Sequence, residues 1–245
     1  MAGRRGPSDR EIKALVREGW DQRSFLYRPS STNTLRDATG HTERQYRAWL
    51  APLFEVVPNG SRVLDLGCGS GRPTSLLLSR RYQVTGIDIS GVQIERAKQL
   101  VPSARFVRQD MTKARLPPGS LGAVVSLYAT IHVPLREQRP LFRRIWRWLA
   151  PGGIFLSVLG AGRYRGIERG WLGSEAPMFW DHASAVTYQR WLEAAGFEVE
   201  HRKYVPEGEG GHELFRCRKV TGGHPSRPAH AAPARHPRTG RSAGR

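Results

Sequence analysis

The chain has 245 residues, enough for one substantial domain with a well-buried core. Hydrophobic residues make up 39% of it, and no stretch approaches the ~18 consecutive apolar residues of a membrane span, so a helical membrane protein is excluded and a cytoplasmic protein is the expectation. A net charge of +18 would ordinarily suggest a nucleic-acid partner, but the bases are nearly all arginine, spread along helices and through an acid-free segment at 221–245, so specific nucleic-acid binding is not expected.

Ser8, Glu11 and the apolar residues Ile12, Leu15 and Val16 predict a helix from Ser8 to Trp20, opened by a capping box. Residues 21–40 read as polar and turn-rich. His41 to Phe54 reads as a helix with Tyr46, Trp49, Leu50 and Leu53 on one face. Pro58-Asn59-Gly60 then turns the chain into a first strand.

The most informative stretch is V-L-D-L-G-C-G-S-G, Val63 to Gly71. Near-continuous apolar residues suit a strand covered on both faces, and Gly67, Gly69 and Gly71 suit a tight turn that a ligand can approach. Arg72 stands where a dinucleotide fingerprint has its last glycine, which disfavours a pyrophosphate ligand. Gln83 to Ile89 is a second strand, and its acid, Asp88, lies about 20 residues beyond the turn, where an acid can bind ribose hydroxyls. Together with the later I-D-I-S, this stretch resembles the first two motifs of the class I S-adenosylmethionine (SAM)-dependent methyltransferases, of the small-molecule type.

The resemblance implies an α/β, Rossmann-like fold. It would have a seven-stranded, mostly parallel sheet in the order 3-2-1-4-5-7-6, strand 7 antiparallel, and helices on both faces. It implies SAM as cofactor, gripped by Asp65, Gly67, Gly69, Gly71, Asp88 and Ile89. It also gives a role to the polar segment after the first helix, which would fold over the cofactor and make Tyr27 a pocket residue.

Gly91 to Leu100 reads as a helix and A-R-F-V-R-Q-D-M as a third strand ending at Asp110. By resemblance, Asp110 and the Met111 backbone would meet the adenine. Leu121 to Leu127 is a fourth strand, and the loop Tyr128 to Pro134 leaves its carboxyl end, where open α/β sheets hold ligands. Leu127 is expected to offer its carbonyl to the methionine amino group. Tyr128 joins the pocket, and His132 is the leading general base because imidazole titrates near neutral pH. Arg136 to Leu149 is an amphipathic helix, followed by Pro151-Gly152-Gly153 and an apolar fifth strand.

Residues 160–183 read as a long aromatic loop, a substrate lid bringing Trp180 to the pocket and His182 as a second base. Ala185 to Ala195 is a helix. Phe197 to Tyr204 and Glu213 to Lys219 form a closing hairpin that carries His212 to the same rim. No short metal-ligand spacing occurs, and no metal is expected. The domain plan is therefore a helical cap (1–60), a SAM-binding domain (61–220) with its lid, and a basic disordered tail (221–245). The expected activity is methyl transfer to an O or N atom of a small molecule, of the kind found in secondary metabolism, by a monomer or homodimer. An RNA or protein methyltransferase and a non-catalytic SAM-binding protein remain open at this point.

Overall fold

Seven strands line up in the order β3-β2-β1-β4-β5-β9-β8 in the computed structural model, which describes residues 6–28, 37 and 40–220. They are β1 (Arg62–Leu66), β2 (Gln83–Asp88), β3 (Arg105–Arg108), β4 (Leu121–Leu127), β5 (Leu149–Gly160), β8 (Phe197–Glu207) and β9 (Gly210–Lys219). Pairings from β3 through β5 are parallel, and β9 lies antiparallel to both β5 and β8. This is the expected Rossmann-like order with its one reversed strand. The two short strands β6 (Tyr164–Glu168) and β7 (Met178–His182) pair with each other outside that sheet, so the expected loop at 160–183 contains a ribbon. The expected disordered tail at 221–245, and residues 1–5, lie outside the described residues.

Period-2 alternation sends the sheet's side chains to opposite faces. Leu64, Leu66, Val124 and Phe155 pack with Leu141, Phe142, Ile145 and Trp148 of α5 (Leu135–Trp148) and with Tyr188 and Leu192 of α6 (Ala185–Ala194). Val63, Val84, Ala123, Val125 and Leu156 pack with Tyr46, Trp49, Leu50 and Leu53 of α2 (Glu43–Val56), together with Leu77 and Leu78 of α3 (Thr74–Ser79). α4 (Gly91–Leu100) buries Ile94 and Ala97 against Phe106. The arginines at 136, 139, 143 and 147 lie on the exposed face of α5, opposite its apolar stripe.

One boundary differs from expectation in a way that matters. α1 (Asp9–Tyr27) begins with the expected capping box between Ser8 and Glu11, but runs a further two turns beyond Trp20. Two of its polar residues there, Arg23 and Ser24, are buried. Ser24 donates to Gln93 Oε1 at 2.7 Å, and the fully buried Arg23 donates to the carbonyls of Trp171, Ser174 and Ala176. Tertiary partners, absent from any local pattern, complete the helix.

Candidate active site

The carboxyl ends of β1, β2 and β4 open into one cavity of about 1010 Å³, counting its open mouth. Asp65, Asp88 and Asp110, from the ends of three neighbouring strands, all line it, with Gly67, Gly69, Ile89, Met111 and Leu127. Tyr27, Tyr128 and His132 line it as well.

The carboxylates sit in different environments. Asp88 is buried and accepts from the Gly69 and Ser90 N–H groups, each at 2.9 Å. An ionised carboxylate has about four acceptor positions, so two remain for a diol. Burial pushes Asp88 up to about 6 despite those bonds. Asp65 is 2% exposed, accepts from Ser75 Oγ at 2.6 Å, and is pushed up to about 7 by burial. Asp110 is also partly desolvated, but hydrogen bonds from Lys13 and Thr112 bring it below its ordinary value.

The three glycines do three different things. Gly67 (φ 71°) lies so close to the chain leaving β4 that a Cβ would stand 2.1 Å from Ala129 Cβ. Gly69 (φ 54°) meets only Gln93, at 3.9 Å, and borders open cavity. Gly71 corrects the expectation of a cofactor contact. It is not among the cavity's lining residues, and a Cβ there would meet Val101 and Phe106 at 3.0 and 3.1 Å. Its small size serves the packing of α4 and β3.

His132 is buried, and its Nδ1 lies 2.8 Å from the Phe179 carbonyl. A carbonyl only accepts, so Nδ1 carries the proton and Nε2 keeps its lone pair. Burial pushes this imidazole down to about 4. Three further expected pocket residues stand behind the wall. Trp180 packs on the His132 ring, centroids 4.3 Å apart. His182 is held by the Gly162 carbonyl at 2.7 Å and fills the space beside Gly160. His212 pairs with Glu207 at 3.1 Å and meets the Tyr128 ring edge-on. None of the three is among the lining residues; Trp180 lies behind His132 and His212 behind Tyr128, and those two line the cavity. Among the described residues, no group of three or more His, Cys, Asp or Glu could hold a metal.

Tyr128 is a point of backbone strain at the cavity. It is a non-glycine residue at φ 61°, stacked on His41 and within reach of Glu207. Such backbone conformations cost about 1–3 kcal/mol and persist where the surroundings enforce them.

Several lining residues escaped the sequence reading: Lys13, Trp20 and Ser24 from α1, Arg28 just after it, and Tyr46 from α2. A signal existed. Lys13, Val16, Trp20, Ser24 and Tyr27 recur at steps of three and four, the stripe of a single helix face.

A methyltransferase-domain family model matches residues 63–153, the span from β1 through the start of β5. Residues 63–153 thus form a methyltransferase domain. Among curated relatives, the sterol 24-C-methyltransferase ERG6B of Gibberella zeae is 32% identical over 148 residues, covering 58% of this chain and 37% of the relative. The 2-methyl-6-phytyl-1,4-hydroquinone methyltransferase of a Synechocystis strain is 36% identical over 108 residues, 42% of this chain and 33% of the relative. The matches thus span only about a third of those relatives' lengths. Among solved structures, the 1,6-didemethyltoxoflavin-N1-methyltransferase of Burkholderia thailandensis superposes with a TM-score of 0.66 at 18% identity, covering 89% of this chain and 92% of its own. That match concerns the fold. No described helix is long and apolar enough to cross a membrane.

Proposed function

We propose that this protein binds SAM in the cavity and transfers its methyl group to an O or N atom of a small molecule. The observation that carries the reading is the convergence of Asp65, Asp88 and Asp110 on one cavity beside the Gly67–Gly69 turn. When bound, the cofactor supplies an already activated methyl. The protein's task is to align a nucleophile with it and keep water out.

Asp88 accepts the ribose hydroxyls on its two open positions. Asp110 and the Met111 backbone meet the adenine, and Ile89 packs beside it. Asp65 and the Leu127 carbonyl hold the amino end. Trp20, Tyr27 and Tyr128 wall the acceptor side, with residues 1–60 as the cap and the ribbon within 160–183 closing the rim. His132 presents Nε2 as an acceptor for the nucleophile's proton. A base this weak orients an O–H or N–H and takes its proton as methyl transfer proceeds, rather than removing it beforehand. Curated relatives that act on a sterol and a hydroquinone favour an acceptor of low molecular weight.

The deciding experiment incubates the protein with methyl-labelled SAM and a cell extract, then separates small from large molecules. Label in the small-molecule fraction is the expected result. Label confined to RNA or protein would overturn the acceptor class, and no transfer despite cofactor binding would leave a binding protein.

Cofactor affinity should also depend on pH. Asp88 must be ionised to accept from a diol, and its free-state value is about 6. Affinity for S-adenosylhomocysteine should therefore rise as pH increases from 5 to 7, by up to about tenfold per unit below that value. Apo stability should move the opposite way. Acids raised to about 6 and about 7 hold more protons folded than unfolded, so their effect erodes stability as pH climbs from about 4 to 7. Calorimetric titration and thermal melts across that window check both signs.

A further inference from the structure

Away from the strand-end acids, the cavity has an aromatic side. Trp20, Tyr27, Tyr128 and His132 line it. Three of these rings are backed by another ring. Trp20 meets Trp171 with centroids 5.7 Å apart, and His132 meets Trp180 at 4.3 Å. Tyr128 stacks on His41 at 5.4 Å with 30° between the planes, so one of its faces is already covered. Rings held in this way are rigid π-surfaces. A well-placed ring partner gains about two- to tenfold in affinity per contact beyond its buried area.

The same side offers little to an ionised acceptor. Lys13 is engaged by Asp110 and Glu137, and Arg28 lies 3.1 Å from Asp37. Arg72 belongs to the turn after β1 and not to this wall. Burial pushes the His132 imidazole down to about 4, so it is neutral near pH 7. An anion would also face the Asp88 carboxylate across the cavity.

The weakness of His132 as a base narrows the class again. An aliphatic hydroxyl holds its proton too tightly for such a base. An aliphatic amine carries an extra proton below about pH 10, as lysine does, and then has no lone pair to offer. A hydroxyl or amino group bonded directly to an aromatic ring escapes both problems. A ring hydroxyl ionises near pH 10, as tyrosine does, and a ring amine is neutral. The proton passes to His132 Nε2 as the ring heteroatom gains the methyl and the sulfur keeps the electron pair of the broken bond.

We propose that the acceptor is an uncharged, flat aromatic molecule whose hydroxyl or amino group is attached directly to the ring, held between Trp20 and Tyr128 with that group toward His132. The proposal rests on the SAM reading above and narrows its small-molecule acceptor to one class.

The test is calorimetric titration of the full chain, saturated with S-adenosylhomocysteine at about pH 7.5, with three probes of one carbon skeleton. 2-Naphthol has the flat rings and the hydroxyl, decahydro-2-naphthol has the hydroxyl on a saturated frame, and 2-naphthoate has the rings and a charge. 2-Naphthol should bind at least about tenfold more tightly than either of the others. In Trp20→Leu, affinity for 2-naphthol should fall about fivefold, while affinity for S-adenosylhomocysteine changes by less than about twofold. If that variant does not fold by circular dichroism, the three-probe comparison on the unaltered protein decides alone. No binding of 2-naphthol, equal or tighter binding of the saturated or charged probe, displacement of S-adenosylhomocysteine by 2-naphthol, or unchanged 2-naphthol affinity in a folded Trp20→Leu would each overturn the assignment and leave the cofactor reading standing. Failure of the unaltered protein to bind S-adenosylhomocysteine would instead remove the cofactor reading, and this assignment with it.

Discussion

Asp88→Ala should lower affinity for S-adenosylhomocysteine by at least about 100-fold, measured by calorimetric titration at pH 7.5. Two effects combine. Two hydrogen bonds from the ribose to a charged acceptor are lost, each worth about 1.5–3 kcal/mol in a site of this kind. The Gly69 and Ser90 N–H groups also lose the carboxylate that holds the turn against β2. Asp88→Asn separates these contributions. It keeps the volume and one acceptor oxygen, so part of the affinity should survive, while the rise in affinity through pH 6 should flatten. Full affinity in the alanine variant would show that the ribose lies elsewhere.

Gly67→Ala should cost about 3 kcal/mol or more of folding stability, read as a fall in the urea midpoint. The residue sits at φ 71°, where a Cβ is strained, and its Cβ would overlap that of Ala129. The backbone after β4 would have to retreat, moving Tyr128 and His132 with it. Gly69→Ala provides the contrast. Its φ of 54° carries strain, but the nearest atom to the added Cβ is 3.9 Å away, so about 1 kcal/mol is expected. Equal costs at the two positions would show that conformation alone, and not contact with Ala129, governs this turn.

Much of the fold and part of the site were legible because local pattern and tertiary role coincide there. The strand–turn–helix from Val63 to Leu78 carries its own geometry in apolar residues and glycines, and Asp88 follows at a distance set by one βαβ step. Order along the sheet could be read through a family resemblance. What stayed hidden depends on contacts between segments distant in sequence. The second half of α1 looked polar because its partners, Gln93 and the carbonyls of residues 171–176, lie 69 to 153 positions away. His182 and His212 were expected at the rim, yet nothing local shows that the first would turn to the Gly162 carbonyl and the second to Glu207. Gly71 shows that one motif can hide unlike duties, since its neighbours in space are Val101 and Phe106.

The long first helix has a consequence for how such a protein can diversify. The cavity's floor is laid by strand ends within residues 63–153, while its roof is a single helix face from Lys13 to Tyr27. That roof is fastened at Asp110 and Glu137 at one end and to the carbonyls of residues 171–176 near the other. Floor and roof are separate segments of the chain joined by a few polar clasps. On the function proposed here, substitutions at Trp20 and Tyr27 would reshape what enters from above while the strand-end acids below stay as they are, so that acceptor preference could drift without loss of the methyl donor.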